Sequence, residues 1–310
     1  MHTHHPEFAL EGAGTGRILS GLCATMVVQG LPCAIRRTGG GASGARDRTH
    51  DVRDAFNFDM GRIALDGKAP FDQIVVASGS SVTAHYPLTP TGTVAVETEA
   101  VLDDLVGIAD AQASCVMGHG DFVSGAVALD RWHEDESSPS GEGLARAELL
   151  RSEVSLPVFA VDAALLEHVR AHSRLRAYAE HVDPVLTLFR HFDGSYRGRH
   201  LVFCYLDYIR ICLESVDWAD SPERLIAFKA AASGVERQRI VEEGIAASVR
   251  LWFLAHAARI VLAHDEAPDA ERDSYVWLAD YHNAMVATVA SDADCRCVLD
   301  PAAQRIDILS

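Results

Sequence analysis

Two long amphipathic stretches near the C-terminus constrain this chain more than anything else in it. Across residues 235–264 the side chains Ile245, Val249, Trp252, Phe253, His256 and Ile260 recur at the spacing that draws a single stripe along a helix. A second stretch, Asp269 to Val289, repeats the pattern with Tyr275, Leu278, Ala279, His282, Met285 and Val289. Each stripe carries a histidine among apolar residues. Upstream, Ser221-Pro222-Glu223 reads as a helix cap with proline at the first helical position, and Asp162 as the N-cap of a helix running to about Val182. Pro184 opens a further short segment, and Gly194 and Gly198 punctuate a turn before an apolar helix from Arg199 to Val216.

The first half reads differently. Residues 1–50 hold two glycine-rich pieces, Gly12 to Gly16 and Gly39 to Gly44, and predict loops with one short element from Ala24 to Leu31. Asp72 to Val76 and Thr93 to Val96 are β-branched runs that predict a small sheet or hairpin. Val101, Leu102, Leu105 and Ile108 predict a helix over Val96 to Ala111. The polar run from His133 to Gly141 marks a loop and a boundary. The expected organisation is an N-terminal section, 1–141, with loops, short strands and one or two helices, and a helical bundle, 142–310, together one compact domain. The fold class that follows is mainly α.

Charge excludes some functions. With 44 acidic against 27 basic residues and a formal net charge of −17, the chain lacks the basic face that binding to nucleic acid or an anionic membrane requires. No leader pattern opens it, and no run reaches the roughly 18 apolar residues of a spanning helix. The reading is of a cytoplasmic chain. Its seven cysteines, an odd number scattered from Cys23 to Cys297, suit reduced core thiols.

A neutral imidazole on the apolar face of a bundle helix is chemically suited to be an axial haem ligand, and His256 and His282 both qualify. A hydrogen-bonded core histidine fits the same pattern. In Phe192-Asp193-Gly194-Ser195-Tyr196-Arg197-Gly198-Arg199-His200-Leu201-Val202-Phe203, a glycine-hinged turn feeds cationic and aromatic side chains into the expected helix. Arg197 or Arg199 there could clamp a carboxylate.

That segment resembles the distal-pocket helix of the indoleamine and tryptophan dioxygenase superfamily. Val249 to Val261 resembles the helix that presents the proximal haem histidine of that superfamily. Within it, the Tyr196-Arg197-Gly198-Arg199-His200 run looks most like the histidine-ligated haem-dependent tyrosine hydroxylases. The glycine-threonine-rich substrate loop of the tryptophan dioxygenases is not recognisable. The resemblance implies a helix bundle of the haem dioxygenase type that binds haem b through His256, with His282 as rival ligand. It implies hydroxylation of L-tyrosine to L-3,4-dihydroxyphenylalanine with hydrogen peroxide, dioxygen being the other oxidant considered. His85 or His200 would be the distal base. Arg197, Arg199, Ser195 and Phe203 would bind substrate, and Trp252 and Tyr196 would lie against the haem. Cys295 or Cys297 could tether the haem covalently. A homodimer is compatible with this reading.

Two alternatives stand beside it. His264-Asp265, with His168, His172, His181 and His191 upstream, could form an HD-type metal-dependent phosphohydrolase site. The C-terminal bundle could also be a non-enzymatic interaction module. Gly118-His119-Gly120-Asp121-Phe122 resembles a segment of aminoglycoside-type phosphotransferases, but residues 123–128 lack the asparagine that this chemistry needs.

Overall fold

Seven strands form one mixed sheet in the order β2-β3-β1-β4-β5-β7-β6 in the computed structural model, which describes residues 18–29, 74–78, 81–88, 94–133, 142–172, 188–290 and 292–299. The strands are β1 (Ile18–Gln29), β2 (Ile74–Ser78), β3 (Ser81–Leu88), β4 (Phe122–His133), β5 (Phe159–Val161), β6 (Phe189–Tyr196) and β7 (Arg199–Leu206). Seven helices are described: α1 (Val94–Ser114), α2 (Glu142–Val154), α3 (Ala163–His172), α4 (Tyr208–Glu214), α5 (Pro222–Ala230), α6 (Gly234–Glu266) and α7 (Asp269–Val289). The expected mainly α bundle is therefore corrected to an α/β fold. Strands from both sides of the 133–141 loop join in the one sheet.

The centre of the sheet is β4. Its residues Phe122 to Ala128 are all buried, the continuous apolar run of a strand covered on both faces. It pairs antiparallel with β1 and parallel with β5, and α2 makes the crossover that a parallel pair requires. Gly125 lies where Phe159 of β5 crosses it: a Cβ there would sit 2.4 Å from the Phe159 ring.

The stretch expected to open a helix at Arg199 is the second strand of a hairpin. Arg197 and Gly198 take φ values of 50° and 73°, two successive left-handed residues that close a two-residue turn between Tyr196 and Arg199. That geometry matches the twist of antiparallel strands, so the glycine serves a hairpin, not a helix entry. The burial of β6 alternates, with one face toward α7 and the other in solvent. Helix begins only at Tyr208, where the Asp207 carboxylate accepts a hydrogen bond from the Arg210 amide at 3.1 Å. Of Thr93 to Val96, expected as a strand, the described residues Val94 to Val96 form the first turn of α1, which buries Val101, Leu102, Leu105 and Ile108. Ala24 to Gln29 of the expected short element are part of the longer strand β1, and Gly30 and Leu31 lie outside the described residues.

Helices α5, α6 and α7 match their sequence signals. Ser221 Oγ accepts from the Arg224 amide at 3.3 Å. Ser233 Oγ accepts from the Glu236 amide at 3.1 Å, and the Glu236 carboxylate reaches back to the Ala232 amide at 3.0 Å, a near relative of the capping box. One face of α6, through Val249, Phe253, His256 and Ile260, packs on the core beside α7. By length and composition α6 could cross a membrane, and with 28% of its most apolar 18-residue window buried it is not enclosed as the core helix of a globular domain would be.

The N-terminal histidines His2, His4 and His5, the two glycine-rich pieces, most of the 133–141 loop, and His181 and Pro184 lie outside the described residues.

Candidate functional site

The buried polar heart of the molecule lies between α4, α6 and α7. His256 and His282, on the inner stripes of two long neighbouring helices, are both wholly enclosed. His282 Nε2 lies 2.8 Å from the carbonyl oxygen of Cys295, which can only accept, so Nε2 carries the proton and Nδ1 is left as an acceptor. His256 Nδ1 stands 2.9 Å from that Nδ1 and must therefore donate to it. The Nε2 lone pair of His256 in turn accepts from the Tyr208 hydroxyl at 2.7 Å. One arrangement of protons satisfies the whole chain with both imidazoles neutral. Burial, and then the neighbouring His282, hold the His256 pKa well below the ordinary histidine value; burial also lowers that of His282. Trp252 stacks on the His256 ring with centroids 4.8 Å apart, and Phe122 meets it edge-on at 6.2 Å.

A second node sits beside the first. Asp207 caps α4, accepts from the Tyr281 hydroxyl at 2.5 Å and faces the Arg190 guanidinium at 3.5 Å. Burial nonetheless raises its pKa, outweighing these bonds. Arg190 also lies over the Tyr281 ring, 5.5 Å from its centroid. Sequence reasoning did not assign roles to Tyr208, Tyr281, Asp207 and Arg190. The available signals were the position of Asp207 ahead of a helix and the adjacency of Tyr281 to His282.

This network ties α4, β6, α6, α7 and the segment after α7 together. It does not conduct protons to a reaction. One end is a backbone carbonyl, which cannot take up a proton, and the other is a fully buried phenol whose pKa is raised well above its ordinary value by burial. Nor do these residues fit a haem. An axial ligand must offer a free lone pair to a slot of macrocycle size, and both nitrogens of His256 are committed, as are both of His282. Cys295 and Cys297 are buried, with their thiols near the carbonyl oxygens of Arg250 and Ala257 at 3.9 and 3.8 Å. They are core thiols, not tethers.

The other expected site residues are dispersed. His85 lies on β3 in register with Cys23 of β1 and Ile74 of β2. His200 stands in solvent on β7, paired with Asp193 at 3.4 Å, whereas His256 is enclosed. Arg197 donates to the Ala270 carbonyl and covers the Tyr196 ring at 5.1 Å, so it pins the hairpin tip to the start of α7. Arg199 and Ser195 are exposed. Phe203 packs with Phe192 at 5.2 Å, in the aromatic layer that Trp277 of α7 closes. Trp252 lies against His256 as described, and Tyr196 is buried at the hairpin tip. His264 Nδ1 lies 3.5 Å from its neighbour Asp265. Among the described residues no three histidine, cysteine or acidic side chains converge as a metal site, which removes the phosphohydrolase alternative.

A different feature is left open to solvent. On α6, directly behind the buried Phe253, His256 and Ile260, the residues Leu251, Ala255, Ala258 and Leu262 form a second apolar stripe, while Leu254 at its flank packs against the core. Leu251 is 59% and Leu262 53% exposed.

No protein-family model matches this chain, and no curated protein sequence does. Solved structures do match, distantly. One is the catalytic core of a rhodopsin-guanylyl cyclase with converted specificity, in complex with ATPalphaS: 7% identity, TM-score 0.37, 62% of this chain and 96% of that one. Another is a bacterial light-regulated adenylyl cyclase, at 9% identity and TM-score 0.37, with 75% of this chain and 60% of that one covered. A third is the guanylyl cyclase Cya2, at 8% identity and TM-score 0.30, with 62% and 92% covered. Likenesses this remote establish neither a fold nor a function for the chain. These neighbours are nucleotide cyclases, not haem dioxygenases. The hairpin at 189–206, where a distal-pocket helix was implied, and the committed nitrogens of His256 and His282 overturn the resemblance to the haem-dependent tyrosine hydroxylases. The expected haem oxidoreductase activity, its L-tyrosine substrate and its peroxide or dioxygen oxidant are withdrawn with it.

Proposed function

We propose that the chain is a self-associating α/β domain that assembles with a second copy through the outer stripe of α6. The observation that carries this reading is a helix of 33 residues, about 50 Å long, whose C-terminal part exposes Leu251, Ala258 and Leu262 on the side opposite the buried Phe253, His256 and Ile260. Exposed leucines scattered singly need no explanation, but Leu251 and Leu262 lie along one line with Ala255 and Ala258 between them.

Charge favours a second copy as the occupant. Two chains of net charge −17 can approach only where their acids are absent, and Gly244 to His264 is a run of α6 without a single acidic residue. A lipid surface is the weaker candidate, because the same acidic chain is repelled by anionic headgroups. The two cations in the run are also engaged within the domain: Arg250 with Asp292 at 3.0 Å, and Arg259 with the Met117 carbonyl at 2.5 Å.

Sedimentation equilibrium over a hundredfold concentration range tests the reading. A monomer–dimer equilibrium is expected, shifted to monomer in the double variant Leu251→Glu, Leu262→Glu with its circular dichroism unchanged. A wild type that stays monomeric throughout, or that floats with neutral liposomes, overturns it. Conversion of ATP or GTP to a cyclic nucleotide by the purified wild-type chain would replace it with a catalytic function.

A further inference from the structure

Resting on the reading of α6 as the self-association face, we infer that its bare stripe receives α5 of the second copy, and that the exchange is reciprocal. The line through Leu262, Ala258, Ala255 and Leu251 continues back along α6, at the same three- and four-residue spacing, to Ser248, Gly244 and Ile240. That N-terminal half is already covered by residues 217–231 of the same chain. Ser248 Oγ donates to the Asp217 carbonyl at 2.7 Å. A Cβ on Gly244 would run into the Trp218 carbonyl oxygen, and Ile240, beside Ala227 and Ala231 of the helical hairpin, is 9% exposed. One line on one helix is therefore part covered by a helix and part bare.

Helix α5 has the length and the chemistry to fill the bare part. Its inner face is held at home: Arg224 donates to the Trp218 carbonyl at 3.2 Å, and Phe228 packs on Trp218 at 4.7 Å with Arg237 of α6 over its ring at 5.9 Å. Its outer face carries Ile226, 66% exposed, and Leu225, 38% exposed. Like Leu251, Ala255, Ala258 and Leu262, neither packs on the core. Nine residues of helix are about 13 Å long, and Leu251 to Leu262 spans about 16 Å. The surface thus makes a step one helix thick, high over Ile240 to Ser248 and low over Leu251 to Leu262. Two such steps interlock when a second copy is turned about a two-fold axis at the step, between Ser248 and Leu251. Each α5 then lies on the other copy's stripe, with Ile226 over the small side chains of Ala255 and Ala258 and a leucine on either side. Both patches of both copies are used, so the assembly closes at two, with the α6 helices one helix layer apart.

Disulfide trapping under mild oxidation tests the contact, with the wild-type chain oxidised alongside as background and sedimentation and circular dichroism run on every reduced variant. The double variant Ile226→Cys, Ala258→Cys is expected to give covalent dimer, and so is a mixture of the two single variants. The double variant cannot close on itself, because Ala258 lies about 20 Å along α6 from Gly244, where α5 packs. Neither single variant alone should trap, since like positions stand far apart across the two-fold axis. Ile226→Glu, with unchanged circular dichroism, should raise the dimer dissociation constant about tenfold or more. Trapping by Ala258→Cys alone would show α6 packed directly on α6. That result, or a dimer that Leu251→Glu, Leu262→Glu dissolves and Ile226→Glu leaves intact, would overturn this inference and leave self-association through α6 standing. A dimer that neither variant weakens would place the interface elsewhere and overturn both. No dimer in the wild type would overturn the reading on which the inference rests.

Discussion

Tyr208 and His256 meet across 48 residues of chain, the phenol donating to Nε2 at 2.7 Å deep inside the molecule. The Cys295 carbonyl fixes the tautomer of His282, His282 in turn fixes that of His256, and the Tyr208 phenol closes the chain as the donor. The two histidines that most suggest chemistry in the sequence are thus the middle of a saturated hydrogen-bond chain that closes α4, α6 and α7 on one another.

Removing the phenol should expose how much of this chain is structural. Tyr208→Phe leaves the Nε2 lone pair of His256 buried without a donor and should cost about 1–3 kcal/mol in urea denaturation. His282→Leu strands two groups, the Nδ1 proton of His256 and the Cys295 carbonyl, and should cost more, roughly 2–5 kcal/mol. If Tyr208→Phe unfolds within about 0.5 kcal/mol of the wild type, the network does not hold the fold in the way described.

Stability should depend on pH through two opposed terms. Both histidines have folded pKa values lowered from 6.5, so on unfolding below that pH each takes up a proton. Their contribution is complete above pH 6.5 and is lost as pH falls toward the folded values, by about 1.4 kcal/mol per pH unit for each histidine. Asp104 works in the other direction. Burial, with Asp103 beside it, pushes its pKa from 3.8 up to about 7, so its contribution is present in acid and is lost as pH rises through 7. Asp104→Asn should therefore stabilise the chain at pH 8, on the order of 2 kcal/mol after allowance for its partial exposure, and do little at pH 4. Thermal melts of wild type and variant at both pH values check this; equal shifts at the two would contradict the assignment.

The central strands are packed so closely that one methyl group should be felt. Gly125→Ala drives a Cβ into the ring of Phe159, at 2.4 Å in the undisturbed structure, and should cost about 1–3 kcal/mol. Adding Phe159→Leu should recover part of that loss, which a double-mutant cycle would read as a coupling of about 0.5–3 kcal/mol. Strict additivity would mean that the two residues do not press on one another.

The parts of the fold legible in the sequence are those in which local signals agree. Helix α7 spans Asp269 to Val289, the stretch its stripe predicts, and Ser221 caps α5. In α7 the inner positions Tyr275, Leu278, Ala279, His282 and Met285 are all buried, while Val289 is not. The segment from Arg199 went wrong because its apolar run fits either period over so short a length. Only pairing with β6 settles it, by the registers Tyr196 to Arg199 and Phe192 to Phe203.

The sequence alone determined the long C-terminal helices, the Ser221 cap of α5, and the placing of His256 and His282 on inward stripes, since those depend on residues three and four apart. Only the tertiary structure decided what the histidines do, because their partners, Tyr208 and the Cys295 carbonyl, come from other segments, and a lone pair already holding a proton donor cannot bind iron. It also decided that the chain is α/β. A sheet in which β4 lies between β1 and β5, and β7 between β5 and β6, is built from pairings distant in the chain, and no local period encodes those.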